Sequence, residues 1–226
     1  MSRSFPLRLD ILPAAQRRLW DELAEVPPEF VLYGGTAIAL QLGHRQSVDF
    51  EFFGSRSLDP ARLSLALPFL SGATITQREP NTLSCNVRRG GEVKLSFFGL
   101  PGFRRLRPPI MAPDNGLQIA SLLDLAGTKA SVVQMRPEAK DYIDLDALLT
   151  NGIDLPTALA AARVIYGVQF NPQITLKAMT YFDEGSLRKL SPDLKDRPVH
   201  AARAVDLDRL PVIVASEASA HGDRKP

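Results

Sequence analysis

The apolar run Phe30–Tyr33 ends on Gly34-Gly35, and the small and apolar residues Thr36–Leu42 follow. A strand that turns on glycine directly into a helix is the tightest local constraint in the chain, because it commits this region to a mixed α/β arrangement. The next extended stretch, Val48–Phe53, contains Asp49-Phe50-Glu51-Phe52. A side-chain period of two sends both phenylalanines to one face and both carboxylates to the other. Two acids held side by side suit a magnesium ion, whose remaining ligands are then phosphate oxygens. The same pattern also describes an edge strand with a wet acidic face. Gly34 and Gly35 offer bare backbone amides at a helix start, where a triphosphate could approach, although glycine pairs also simply make turns. Arg45 and Ser47 stand at alternate positions before Asp49, so guanidinium, hydroxyl and carboxylate are expected to meet one phosphate.

With 226 residues, 45% of them hydrophobic, the chain can bury a full core without staples. Its 27 basic and 25 acidic residues leave a net charge of +2, too balanced for a protein that grips nucleic acid all over, so any such contact needs a local patch. Cys85 is the sole cysteine, which excludes an intrachain disulfide and a four-cysteine zinc site and points to a reducing compartment. No signal-peptide pattern and no bilayer-spanning apolar window is present, so a cytoplasmic protein without membrane attachment is expected. Walker A, H-E-x-x-H and dinucleotide fingerprints are missing, which argues against ATPase, zincin and dehydrogenase functions.

Helical spacing of Leu12, Ala15, Leu19, Leu23 and Val26 predicts an amphipathic helix stopped by Pro27-Pro28. A short helix is expected over Pro60–Leu67, and strands over Thr74–Gln77, Leu83–Val87 and Val93–Phe98. After the arginine- and proline-rich loop Pro101–Pro109 the pattern turns helical. Ser121 and Asp124 resemble a capping box that opens a helix running to about Met135; Pro137 opens the next, which Gly152 closes. Leu155–Tyr166 and Pro172–Phe182 follow, and beyond Ser191 only Ala201–Val214 is expected to dock. The expected organisation is a mixed-sheet core over 1–112, a helical subdomain over 113–190 and a loosely docked tail over 191–226.

Lys129 and Asp144 are placed symmetrically about the Arg136-Pro137 turn, each about 11 Å along its helix, so an antiparallel hairpin sets them face to face. Asp141 lies one turn before Asp144 on the same face. A plain interhelical salt bridge is one meaning. A functional lysine is favoured because the segment Ala126-Gly127-Thr128-Lys129-Ala130 is otherwise small and apolar, where solvation explains a charge poorly.

Taken together, Tyr33-Gly34-Gly35-Thr36-Ala37-Ile38-Ala39-Leu40, the spacing Arg45-x-Ser47-x-Asp49-x-Glu51, Lys129 and Lys140-Asp141-Tyr142-Ile143-Asp144-Leu145 resemble the AbiEii/AbiGii-type nucleotidyltransferase toxins, MenT toxins included, of the DNA polymerase β-like superfamily. The resemblance implies a nucleotidyltransferase-type mixed sheet with flanking helices, a C-terminal helical subdomain and an active-site cleft between them. It further implies transfer of a nucleoside monophosphate from an NTP, with Mg²⁺, to a hydroxyl at the 3′ end of tRNA, and a cognate antitoxin as partner. Asp49 and Glu51 would hold metal and triphosphate, assisted by Gly34, Gly35, Thr36, Arg45, Ser47 and Asp141. Lys129 would contact the phosphate tail, and Asp144 would position or deprotonate the acceptor hydroxyl. Two departures matter: Glu51 stands where Asp is commoner, and Ser96 occupies the place of a third acid on Glu92-Val93-Lys94-Leu95-Ser96. Glu92 shares that face but lies about 13 Å away, too far to substitute. A single-metal site or a weakened enzyme would follow. A nucleotidyltransferase for a small molecule such as an aminoglycoside, and a homologue that only binds nucleotide or a partner protein, remain as alternatives.

Arg88, Arg89, Arg104, Arg105 and Arg107 would form an RNA patch if they share a face; a solvated loop is equally open. Phe103 is expected to anchor packing, His44 to be a helix cap or a surface residue, Tyr142 to sit on a helix face, and Cys85 to be an inert core or edge residue.

Overall fold

The computed structural model describes residues 7–215. They form two compact units. One comprises the described residues up to Phe103 together with Pro109–Ala120; the other comprises Arg104–Pro108 and the described residues from Ser121 on. The fold is mixed α/β.

A seven-stranded mixed sheet forms the first unit. In chain order the strands are β1 (Phe30–Tyr33), β2 (Asp49–Gly54), β3 (Thr74–Glu79), β4 (Thr82–Arg88), β5 (Glu92–Gly99), β6 (Ile110–Met111) and β7 (Gln118–Ile119). Across the sheet they run β3-β4-β5-β2-β1-β7-β6. The central strand, β2, is antiparallel to β1 and parallel to β5. Its alternation settles which way it faces: Phe50 and Phe52 are fully buried, whereas Asp49 and Glu51 keep access to solvent. Phe52 stacks on Phe97 of β5 with ring centroids 4.8 Å apart, and Trp20 packs against Phe50. Burying aromatic side chains of this size contributes roughly 1.5–3 kcal/mol each, which fixes the register and thereby the carboxylate face.

Three α-helices belong to this unit: α1 (Ala14–Leu19), α2 (Gly34–Leu42) and α3 (Pro60–Ala66). Asp59 caps α3 by accepting from the amides of Ala61 and Arg62, with Pro60 in the first turn. The helix expected from Leu12 to Val26 instead tightens into a 3₁₀ segment at Trp20–Glu25. Asn115 Nδ2 donates to the Trp20 carbonyl at 2.7 Å, and Trp20 Nε1 donates to Asp114 at 2.7 Å. These two contacts hold the helix end against the β6–β7 connection, whose two-residue strands leave no periodic signal.

The second unit is helical: α4 (Leu122–Val132), α5 (Ala139–Thr150), α6 (Leu155–Tyr166), α7 (Pro172–Ala178) and α8 (Pro192–Arg203). Ser121 caps α4 as expected, accepting from the Asp124 amide at 3.1 Å. Asp124 does more than close that box. Buried to 1% exposure, it accepts from the amides of Leu106 at 2.7 Å and Arg107 at 3.1 Å and so fixes the preceding loop. Burial pushes its carboxyl pKa up, opposed by the hydrogen bonds from Ser121, Leu106 and Arg107. The small residues of α4 have a packing cause: a Cβ at Gly127 would lie 2.9 Å from Ile165 and 3.0 Å from Ala161 on α6.

Residues 192–203 form a helix where the sequence suggested a loose tail. Ser191 caps it, and Arg197 clasps Asp146 of α5 through two bonds of 2.8 and 2.6 Å. Pro198 lies inside that helix, which is why the segment reads as broken. The part of the expected tail from 216 to 226 lies outside the described residues.

Candidate active site

In the first unit the site begins at the end of β1. Gly34 adopts φ +70°, a conformation that side chains disfavour, and a Cβ added to it would sit 1.9 Å from Glu51 Oε2. The Glu51 carboxylate therefore lies directly against the glycine turn, as the β1–β2 register requires by setting Tyr33 opposite Glu51. Gly34 and Gly35 open α2, and the buried Thr36 of that first turn donates its hydroxyl to the Asp49 carbonyl. Thr36 thus ties the helix start to the first residue of β2; its hydroxyl is engaged with backbone.

Asp49 and Glu51 share one face, two residues apart. Among the described residues, neither carboxylate has a cationic or hydrogen-bonding partner. No cluster of three or more His, Cys, Asp or Glu side chains placed to hold a metal occurs among the described residues. Ser96 faces Glu51 across the β2–β5 register, and its hydroxyl lies 3.0 Å from that of Ser84. A buried hydroxyl pair therefore stands where a third acid was sought. Two hard carboxylates fit a divalent cation that keeps water and phosphate as its other ligands, the usual state of protein-bound Mg²⁺.

Arg45 and Ser47 fall in irregular backbone ahead of β2, so the strand alternation does not extend to them. Ser47 is buried, the Val48 side chain is exposed, and Arg45 Nη1 donates to the Gln46 carbonyl at 2.8 Å.

In the second unit, α4 and α5 form the expected hairpin and bring Lys129, Asp141 and Asp144 together. Lys129 Nζ lies 2.7 Å from Asp141 Oδ1 and 2.8 Å from Asp144 Oδ2. The lysine side chain is 6% exposed and both carboxylates 0%. Arg136 adds bonds of 2.8 and 3.2 Å to Asp141. The salt bridge foreseen between the helices exists, but as a buried triad, with Arg136 as a fourth member that spacing alone did not reveal. An ammonium carries three donors, and these contacts use two.

Several other readings resolve. Phe103 is a packing anchor, edge-on to Tyr33 and Phe53. Tyr142 packs on Phe182 and donates to the Ala178 carbonyl, with burial pushing its hydroxyl pKa up to about 12. Cys85 is fully buried and its thiol pKa is raised to about 11, which makes it inert. Arg89 is bound to Glu22 through two bonds of 2.5 and 2.6 Å. The Arg107 amide is held by Asp124, and its guanidinium by the carbonyls of Leu106 and Val214. Among the described residues, no helix is long and apolar enough to cross a membrane.

The central strand of a mixed sheet thus sets two carboxylates, without a partner among the described residues, beside a strand–glycine–helix turn. In comparison with known proteins, residues 18–211 match the family described as nucleotidyl transferase AbiEii toxin, type IV TA system. The chain belongs to that family and is a nucleotidyltransferase of the toxin class. A relative in Aquifex aeolicus (strain VF5), the uncharacterized protein aq_aa25, is 31% identical over 160 residues, covering 69% of this chain and 75% of its own. The fold is shared with MenT4, the nucleotidyltransferase toxin Rv2826c of Mycobacterium tuberculosis H37Rv, at TM-score 0.56 and 14% identity, over 84% of this chain and 83% of that one. It is also shared with a protein from H. pylori assigned as a nucleotidyltransferase, at TM-score 0.51 and 15% identity, over 90% and 93% of the two chains.

Proposed function

We propose that the protein transfers a nucleoside monophosphate from an Mg²⁺-bound NTP to the 3′ hydroxyl of a tRNA, as the toxin of a pair restrained by a cognate antitoxin in the cytoplasm. The observation that carries this reading is the Asp49–Glu51 pair: two carboxylates on one strand face, without a cationic partner among the described residues, against a glycine turn. Like charges this close repel one another unless a cation joins them.

Asp49 and Glu51 hold the metal, which when bound neutralises the triphosphate and polarises its α-phosphorus. Gly34 and Gly35 admit the phosphates to the backbone at the start of α2. Thr36 positions Asp49 through its carbonyl. The acceptor hydroxyl attacks the α-phosphorus, the bond to the β-phosphate breaks and pyrophosphate leaves; Asp144 is assigned to orient that hydroxyl and receive its proton. Lys129 holds Asp141 and Asp144 in place and is assigned to the phosphate tail of the NTP. In such transfers the enzyme mainly positions the reactants and balances their charge, so this small set of groups is sufficient.

The test is incubation with each of the four α-labelled NTPs, Mg²⁺ and total tRNA. Label in tRNA with at least one NTP, removed by EDTA, is the expected result. In a parallel incubation with an aminoglycoside in place of tRNA, label on the small molecule and none on tRNA overturns the tRNA assignment, and no label with either acceptor leaves a binding protein.

A further inference from the structure

The parallel β2–β5 register sets Asp49 directly beside Lys94 and Glu51 beside Ser96. Register partners in a parallel pair project to the same face about 4.8 Å apart, so Lys94 stands on the carboxylate face next to Asp49. It is exposed, and among the described residues its ammonium has no ion pair or hydrogen bond, not even with its cross-strand neighbour Asp49. It does not serve to block sheet-edge pairing, because β5 is the third of seven strands and is hydrogen-bonded on both sides. Besides Asp49, the polar groups that share this face with Lys94 include Asn86 opposite it on β4, Glu92 and Ser96 on its own strand, and Arg88 opposite Glu92.

The sides of the carboxylate pair differ. Toward β1 lies the glycine turn, with Gly34 against Glu51 and Thr36 bonded to Asp49; toward β4 lie Lys94 and Asn86. If the triphosphate occupies the glycine side, two exposed cations of this face, Lys94 beside Asp49 and Arg88 one pair further along β4, stand on the side where the second substrate must arrive.

We propose that Lys94 binds a backbone phosphate of the acceptor RNA and so positions its terminal hydroxyl beside Asp49. This rests on the metal and acceptor reading given above. Lys94 is not needed to hold the NTP.

The experiment measures binding of total tRNA and of Mg·ATP, Mg·GTP, Mg·CTP and Mg·UTP to the full chain, comparing the unaltered protein with Lys94→Ala and Lys94→Arg. Arg17→Ala serves as control; Arg17 lies on α1, the helix next to Trp20, which packs on the opposite face at Phe50. Lys94→Ala is expected to weaken tRNA binding about five- to tenfold and to lower the slope of log affinity against log salt by about one, with NTP affinity unchanged. Lys94→Arg should restore most of the affinity. The proposal is overturned if Lys94→Ala weakens NTP binding instead, if it leaves tRNA binding unaltered, or if Arg17→Ala has an equal effect. If the unaltered protein binds an NTP but no tRNA, the acceptor reading falls and Lys94 with it. If the unaltered protein binds neither, the catalytic reading itself fails.

Discussion

Gly34 and Glu51 are in such close contact that a single carbon added to the glycine would lie 1.9 Å from Glu51 Oε2. The turn and the carboxylate are thus one structural unit. Gly34→Ala must place a side chain at φ +70° and displace the carboxylate as well. The conformational strain alone is about 1–3 kcal/mol. Chemical denaturation should show that loss, and transfer measured well below the unfolding temperature should fall further than the unfolded fraction explains.

Asp49→Asn and Glu51→Gln have the opposite profile. Neither carboxylate has a partner among the described residues, so stability should change by no more than about 0.5 kcal/mol. Nucleotidyl transfer should drop at least about a hundredfold, the scale on which charge-stabilising groups act. Parallel melting curves and transfer rates check both halves of this expectation.

Lys129 is held by structure as well as by chemistry. Lys129→Ala leaves Asp141 and Asp144, both fully buried, without the lysine between them, and should destabilise the chain by about 3–5 kcal/mol. Replacing the triad together, as Lys129→Met with Asp141→Asn and Asp144→Asn, removes the buried carboxylates that lost the lysine and should recover most of the stability but no activity. Failure of the triple variant to regain stability would show that the network does more than balance charge.

Alkaline pH should unfold the protein through groups buried neutral. Burial raises the Cys85 thiol to about 11 and the Tyr142 and Tyr166 hydroxyls to about 12. Their folded values exceed their unfolded ones, so the unfolded chain releases these protons first. The stability they confer is complete below about pH 8.5 for the thiol and pH 10 for the phenols, and is lost as pH rises through 11 and 12. Denaturation midpoints recorded from pH 8 to 12 should fall in that window, and Cys85→Ala should flatten the portion below 11.

The sequence makes the strand face legible because Asp49-Phe50-Glu51-Phe52 is a period-two word, and aromatic burial leaves it one orientation. The α4–α5 hairpin is legible for a similar reason: Ser121, Pro137 and Gly152 punctuate it, so the meeting of Lys129 and Asp144 follows from counting. Contacts between distant segments leave no such mark. Arg197 on Asp146 converts a charged, proline-containing stretch into α8, and Asn115 on Trp20 ends α1 early. Thr36 belongs to the recognised glycine motif, yet its hydroxyl goes to the Asp49 backbone, an assignment that required the packing of α2 on β2. The position of Lys94 beside Asp49 depends on register, which neither strand encodes alone.

The central claim is that Asp49 and Glu51 together bind the metal that carries the nucleotide. Electron paramagnetic resonance with Mn²⁺ in place of Mg²⁺ tests it directly, by following the free-Mn²⁺ signal as protein is added to a fixed Mn·NTP mixture. The unaltered chain should diminish the signal, and the Asp49→Asn, Glu51→Gln double variant, equally folded, should leave it unchanged. Equal loss of signal with both proteins would place the metal elsewhere than on Asp49 and Glu51.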